Sequence, residues 1–273
     1  MKQTKARKQF KKLFGQQNHF LITCLIGLDY VENYDVKCPD SFSTSWNPKE
    51  KRQSTRRSRE FLLQSFLASA VDGLDMYLSL LNRTPKYVTD SKFEEVVSAA
   101  GRSVYCKVEN VSNYFSINQV CKALCLALIT LRNNLLHSMA DNTLSTGDCE
   151  ILCNNKVLIK EKYCGLNIED ILKRISEKEA PTFKEVASLI RATHFFVEEV
   201  DSKVIDSISD SFYYETLCKY LRDEKKLFEK YKRFSNLERK RLIENIFENR
   251  LGITKGDISD DVMEELLVIK DLK

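Results

Sequence analysis

Helix-breaking residues are scarce along this chain: eight glycines and four prolines are spread over 273 residues. Helices can therefore run long with little punctuation, and the default architecture is mainly α. The length suits one large domain, or a core domain carrying a helical extension.

Hydrophobic periodicity places the main elements. Over residues 58–81, Leu63, Phe66, Leu67, Ala70, Val71, Leu74, Leu78 and Leu81 share one broad face, which predicts a central helix ending before Pro85. A second long helix is expected over 116–138, with Val120, Leu124, Leu128, Leu131 and Leu135 as its core stripe. Ser91-x-x-Glu94, Thr182-x-x-Glu185 and Ser235-x-x-Glu238 read as capping boxes, and Gly252 as a helix stop. Residues 36–50 read as loop. The continuous apolar run at 20–28 shows no period, so strand and helix both stay open; it reads as buried structure and is too short to cross a bilayer. At 149–160 the helical rhythm breaks around Asn154-Asn155, and a small β-hairpin insertion is expected. These signals divide the chain into a basic N-terminal arm with an apolar and loop segment (1–54), a helical core (55–205) and a charged helical C-terminal extension (206–273).

The formal net charge is only +4, but its distribution is uneven. Lys2, Lys5, Arg7, Lys8, Lys11 and Lys12 come without an acid among them, and Lys49, Lys51, Arg52, Arg56, Arg57 and Arg59 are opposed by Glu50 and Glu60 alone. Lys8, Lys11, Lys12, Arg56, Arg57 and Arg59 are the candidate contacts for RNA phosphates; a solvated arm and helix start is the plain alternative. Nine cysteines, an odd number without a signal-peptide pattern, suggest free thiols in a reducing, cytoplasmic setting with no membrane partner.

One polar constellation interrupts the second apolar helix. Arg132-Asn-Asn-Leu-Leu-His137 puts a permanently charged guanidinium, an amide and an imidazole within six residues at the helix end. On a helix, Asn133 and His137 lie about 40° apart around the axis, while Arg132 and His137 differ by about 140°. Asn133 is thus expected to orient the imidazole. Arg132 must reach around, or the helix must break near His137, or a second subunit must complete the site. The set suits RNA cleavage by attack of a 2′-hydroxyl on its own phosphodiester, which needs proton transfer and phosphate neutralisation but no metal. One histidine does not easily serve as both base and acid in one step, so a homodimer is expected, with two copies of the motif meeting at a two-fold axis.

Arg132, Asn133 and His137 resemble the nuclease motif of the HEPN superfamily: Arg, a polar residue often Asn, then His after four to six intervening residues. The resemblance covers residues 55–205. It implies a helical bundle, dimerisation across the motif helices and metal-independent endoribonuclease activity, commonly as a toxin or antiphage effector with an antitoxin or defence-system partner. The family often has an acidic or polar residue on the earlier helix near the motif, a place that Asp72 or Asp75 could occupy, an ordinary solvated carboxylate being the alternative.

Other constellations carry less. Cys121-x-x-x-Cys125, Cys149-x-x-x-Cys153 and Cys164 lack the spacing of a zinc knuckle, so neither metal nor cofactor is expected. His194 beside Phe195 and Phe196 reads as a packed core histidine. The rival reading is a non-catalytic module of the same fold that binds nucleotide or protein, or assembles, through Arg132 and His137.

Overall fold

In the computed structural model, which describes residues 3–83, 86–137, 139–253 and 258–269, the chain folds into thirteen α-helices and a 3-10 turn at Asp40–Phe42, with no strand among the described residues. The stop expected at Pro85 lies outside the described residues, as do Lys2 and Ser138.

The first two helices form an antiparallel pair. α1 (Lys5–Asn33) and α2 (Lys51–Leu81) are 29 and 31 residues long, so each spans about 45 Å. Glu32 meets Arg59 at one end, at 3.6 Å, and Phe14 meets Gly73 nearer the other. A Cβ at Gly73 would lie 2.6 Å from Cε2 of Phe14, so the missing side chain is what lets the helices approach.

The basic start of the chain is therefore no free arm. Thr4 caps α1, accepting from the Arg7 amide at 3.1 Å. It is itself buried, because its amide, at 3.0 Å, and its hydroxyl both donate to the carboxylate of Asp201 on α9 (Phe183–Asp206). The Tyr77 hydroxyl donates to the same carboxylate at 3.4 Å. Burial pushes the Asp201 pKa upward even against these donors. Lys5 and Lys8 reach the far end of the chain, donating to the carbonyls of Asn249 and Gly252 at 2.8 and 2.6 Å, at the close of α12 (Asn236–Leu251). Cations there satisfy terminal carbonyls and complement the helix dipole. Gly252 sits at φ +75°, and a Cβ on it would come within 3.1 Å of the Lys5 amide nitrogen, so both its backbone and its surroundings require glycine.

The apolar run at 20–28 belongs to α1 and is largely exposed, against the expectation of burial. Leu21 is buried, but Phe20 and Ile26 are 67% and 66% exposed. Outward of Leu21 and Leu63 the only buried side chain on the two helices is Thr55, so this half of the hairpin packs on itself alone.

At the centre lies α5 (Gln119–Leu136). Every residue over 123–131 is buried, which an amphipathic surface helix does not do. It touches α2, α9, α4 (Val104–Phe115), α6 (Thr146–Asn154) and α8 (Ile168–Glu177). Each fully buried leucine here contributes about 1.5–3 kcal/mol, so α5 anchors the bundle.

Residues 149–160 form no hairpin; they belong to α6 and α7 (Lys156–Lys162). Asn155, between them, has φ −112°, whereas a two-residue hairpin turn needs positive φ. Leu152 on α6 and Ile159 on α7 are both buried, so each short helix sets one side chain into the core. The boxes at Thr182/Glu185 and Ser235/Glu238 form as expected. Ser91/Glu94 does not: Asp90 caps α3 (Ser91–Ala99) by accepting from the Lys92 amide. In the last part of the chain, α10 (Asp210–Asp223), α11 (Lys225–Arg233), α12 and α13 (Asp260–Leu267) contribute Leu217, Tyr231, Phe247 and Leu266 to the same apolar core.

Candidate active site

α5 ends at the motif. His137 is its C-cap, with φ −113° and ψ 100°, so the chain turns extended there and the imidazole leaves the helical lattice. Of the three arrangements expected, the structure shows the helix break at His137; Arg132 and His137 share no hydrogen bond there. His137 is exposed, and its ring has no hydrogen-bonding or ionic partner among the described residues. Leu136 and Met139 on either side of it are exposed as well, Met139 to 95%.

Arg132 is held. Its Nη1 donates to Oδ1 of Asn133 at 2.9 Å, and its Nη2 lies 3.7 Å from Oδ1 of Asp72 on α2. Asn133 therefore braces the guanidinium and does not orient the imidazole, as helix geometry alone had suggested. Nε of Arg132 is buried with no hydrogen-bond partner, a donor whose desolvation costs about 1–3 kcal/mol until something accepts from it. The Asp72 side chain is 76% exposed, so the long pair with Arg132 is screened and weak. Asp75 points elsewhere: its Oδ1 takes Nζ of Lys107 at 2.6 Å. Of the two acidic candidates, the structure brings only Asp72 to the motif.

Asn134, which sequence reasoning passed over, sets where the chain goes after His137. Its Nδ2 donates to the carbonyls of Asn142 and Ile175 at 2.8 and 3.1 Å, and its Oδ1 accepts from the amide of Asn142 at 2.9 Å. The side chain is buried and its polar atoms are used, so one amide ties the segment after the motif to the end of α8. The available signal was an asparagine inside an otherwise apolar stretch.

The six candidate RNA-binding cations do not form one track. Lys8, Lys11 and Lys12 lie on α1 level with the last turns of α2, whereas Arg56, Arg57 and Arg59 stand in its first turns, about 20 Å along the axis from Asp72. Lys8 is committed to Gly252, Arg56 to Glu60 at 3.1 Å and Arg59 to Glu32. Lys11, Lys12 and Arg57 are exposed.

Among the described residues, no three His, Cys, Asp or Glu side chains cluster closely enough to hold a metal ion. Cys121 and Cys125 are buried in α5, where burial pushes the Cys125 thiol pKa well up, away from the thiolate a metal would need. No helix among the described residues is long and apolar enough to cross a membrane. Comparison with family models, with curated proteins and with solved structures finds no match.

Proposed function

We propose that the chain is a metal-independent endoribonuclease of the HEPN type, acting through Arg132 and His137 in a homodimer, as a toxin or antiphage effector. The observation that carries this reading is a guanidinium braced by its neighbour on the last turns of α5, followed by an unpartnered, exposed imidazole where the helix breaks. Arg132 would neutralise the scissile phosphate, with Asn133 fixing its fork and Asp72 the weak partner that substrate displaces. His137 would transfer protons: the 2′-oxygen bonds to phosphorus, its proton leaves to a base, and the departing 5′-oxygen takes a proton from an acid. Exposed Leu136 and Met139 flank His137 as an apolar border that a second copy would cover, bringing the second imidazole that the reaction needs.

The test is incubation of end-labelled RNA with the protein in excess chelator. Products with a 2′,3′-cyclic phosphate and a free 5′-hydroxyl support the reading; a requirement for divalent metal, or 5′-phosphate ends, rejects it. A second reading, a non-catalytic binding or assembly module, is favoured by the ties of Arg132 to its own chain through Asn133 and Asp72. It predicts RNA left intact.

A further inference from the structure

Between α1 and α9 runs an open groove of about 540 Å³ that no motif residue lines; its walls include Lys11, Phe66, Cys164, Arg191, His194 and Phe195. Its size falls within the usual range for small-molecule sites. No carboxylate lines it. Lys11 and Arg191 form no ion pair among the described residues, and Arg191 offers Nη1 to nothing better than the Cys164 sulfur at 3.7 Å. Glu198, one turn along α9 from His194, is engaged by Arg7 at 2.5 Å. The positive charge at the mouth is thus uncompensated by the protein.

The floor is aromatic. The His194 ring packs edge-on against Phe10 and Phe14, each with centroids 5.2 Å apart. Burial, with Lys11 and Arg7 nearby, lowers its pKa, so at neutral pH it adds an uncharged ring to the wall. Phe195 carries the Arg191 guanidinium 5.3 Å and the Lys162 ammonium 5.0 Å from its ring centre, so cations already gather at an aromatic surface. Gly15 opens the α1 side: a Cβ there would meet nothing within 4 Å.

We propose that this groove binds a small planar aromatic anion, its ring laid against Phe66, Phe195 and His194 and its carboxylate or phosphate held by Arg191 and Lys11. A neutral apolar ligand would leave the two cations unused, and an inorganic anion would leave the aromatic floor wet. The site is independent of the RNA-cleavage reading.

Cys164 is exposed in the groove, and Cys24 is exposed on the outer half of α1, so the protein carries its own reporter and control. Alkylation of both by iodoacetamide is followed by peptide mass spectrometry, with 1-naphthoate as the aromatic acid and adenosine 5′-monophosphate as the nucleotide. Saturable slowing at Cys164 but not at Cys24, by either probe, supports the site and tells which source of aromatic anion it prefers. Arg191→Glu and Lys11→Glu should each weaken protection by about tenfold, the loss of one charge-assisted contact. Gly15→Leu, which keeps the charge and fills the mouth, should abolish it. No protection by either probe, equal protection of Cys24, or protection unchanged in all three variants overturns the proposal.

Discussion

Arg132 donates through Nη1 to the amide oxygen of Asn133, its immediate neighbour on α5, at 2.9 Å. The bond spans two adjacent residues that face different sides of a regular helix, so it turns the guanidinium along the surface. Asn133→Leu removes the acceptor and should slow RNA cleavage by about tenfold or more through misplacement of the phosphate ligand. Asn133→Asp keeps an acceptor and should retain most activity. The pH profile of kcat/KM should match wild type in Asn133→Leu, which adds no charge beside His137; a shifted profile in that variant would show that Asn133 acts on His137 instead.

Asn134 satisfies three backbone groups from a buried position. Asn134→Ala should cost about 3 kcal/mol in urea unfolding, since the Ile175 carbonyl and the Asn142 backbone lose their partner. Limited proteolysis should cut within residues 139–145 faster than in wild type. A loss under about 0.5 kcal/mol would show that the segment is held by something else.

Gly73 is a packing glycine, and its replacement sets two effects against each other. Alanine gains about 1 kcal/mol in helix propensity, but its Cβ would sit 2.6 Å from the buried Phe14 ring, an overpacking cost of about 1–3 kcal/mol. Gly73→Ala should therefore destabilise, and adding Phe14→Leu should recover part of the loss. A single variant more stable than wild type would mean that the α1–α2 contact is loose.

Asp201 makes stability depend on pH in an uncommon direction for a carboxylate. Its folded-state pKa is raised by burial, so between the unfolded and folded values the native state binds more protons than the unfolded chain. That contribution is fully present below the unfolded pKa and is lost as pH rises through the folded one. In Asp201→Asn the term is gone, so the advantage of wild type over the variant should be largest in acid and shrink toward neutral pH. Denaturation midpoints across that range check it; an advantage that grows with pH contradicts it.

Much of the helical plan was legible because local chemistry agrees with it. Thr182 with Glu185 and Ser235 with Glu238 each satisfy two backbone donors within four residues, and Gly252 ends its helix through its own backbone freedom. The position of Arg132 and His137 near the end of an apolar helix was likewise readable. What escaped depends on distant partners. Thr4 binding Asp201 spans 197 positions, and no local pattern hints at it. The run at 20–28 is apolar enough to suggest burial, yet whether a third element covers it is decided by the rest of the chain. At 149–160, two asparagines imitated a hairpin turn, while the burial of Leu152 and Ile159 against neighbouring helices won. The choice between Asp72 and Asp75 needed the position of Lys107, which takes Asp75 away.

Arg132 and His137 are proposed to cut RNA together without metal, and the rate of cleavage in chelator by Arg132→Ala and His137→Ala tests this most directly. Both positions are at the protein surface or half-buried, so thermal unfolding can establish that each variant is folded. Each should then lose about 100-fold or more relative to wild type, the worth of a general acid–base group or a phosphate clamp. Cleavage by either folded variant within about twofold of wild type, far below the worth of such a group, would contradict the account.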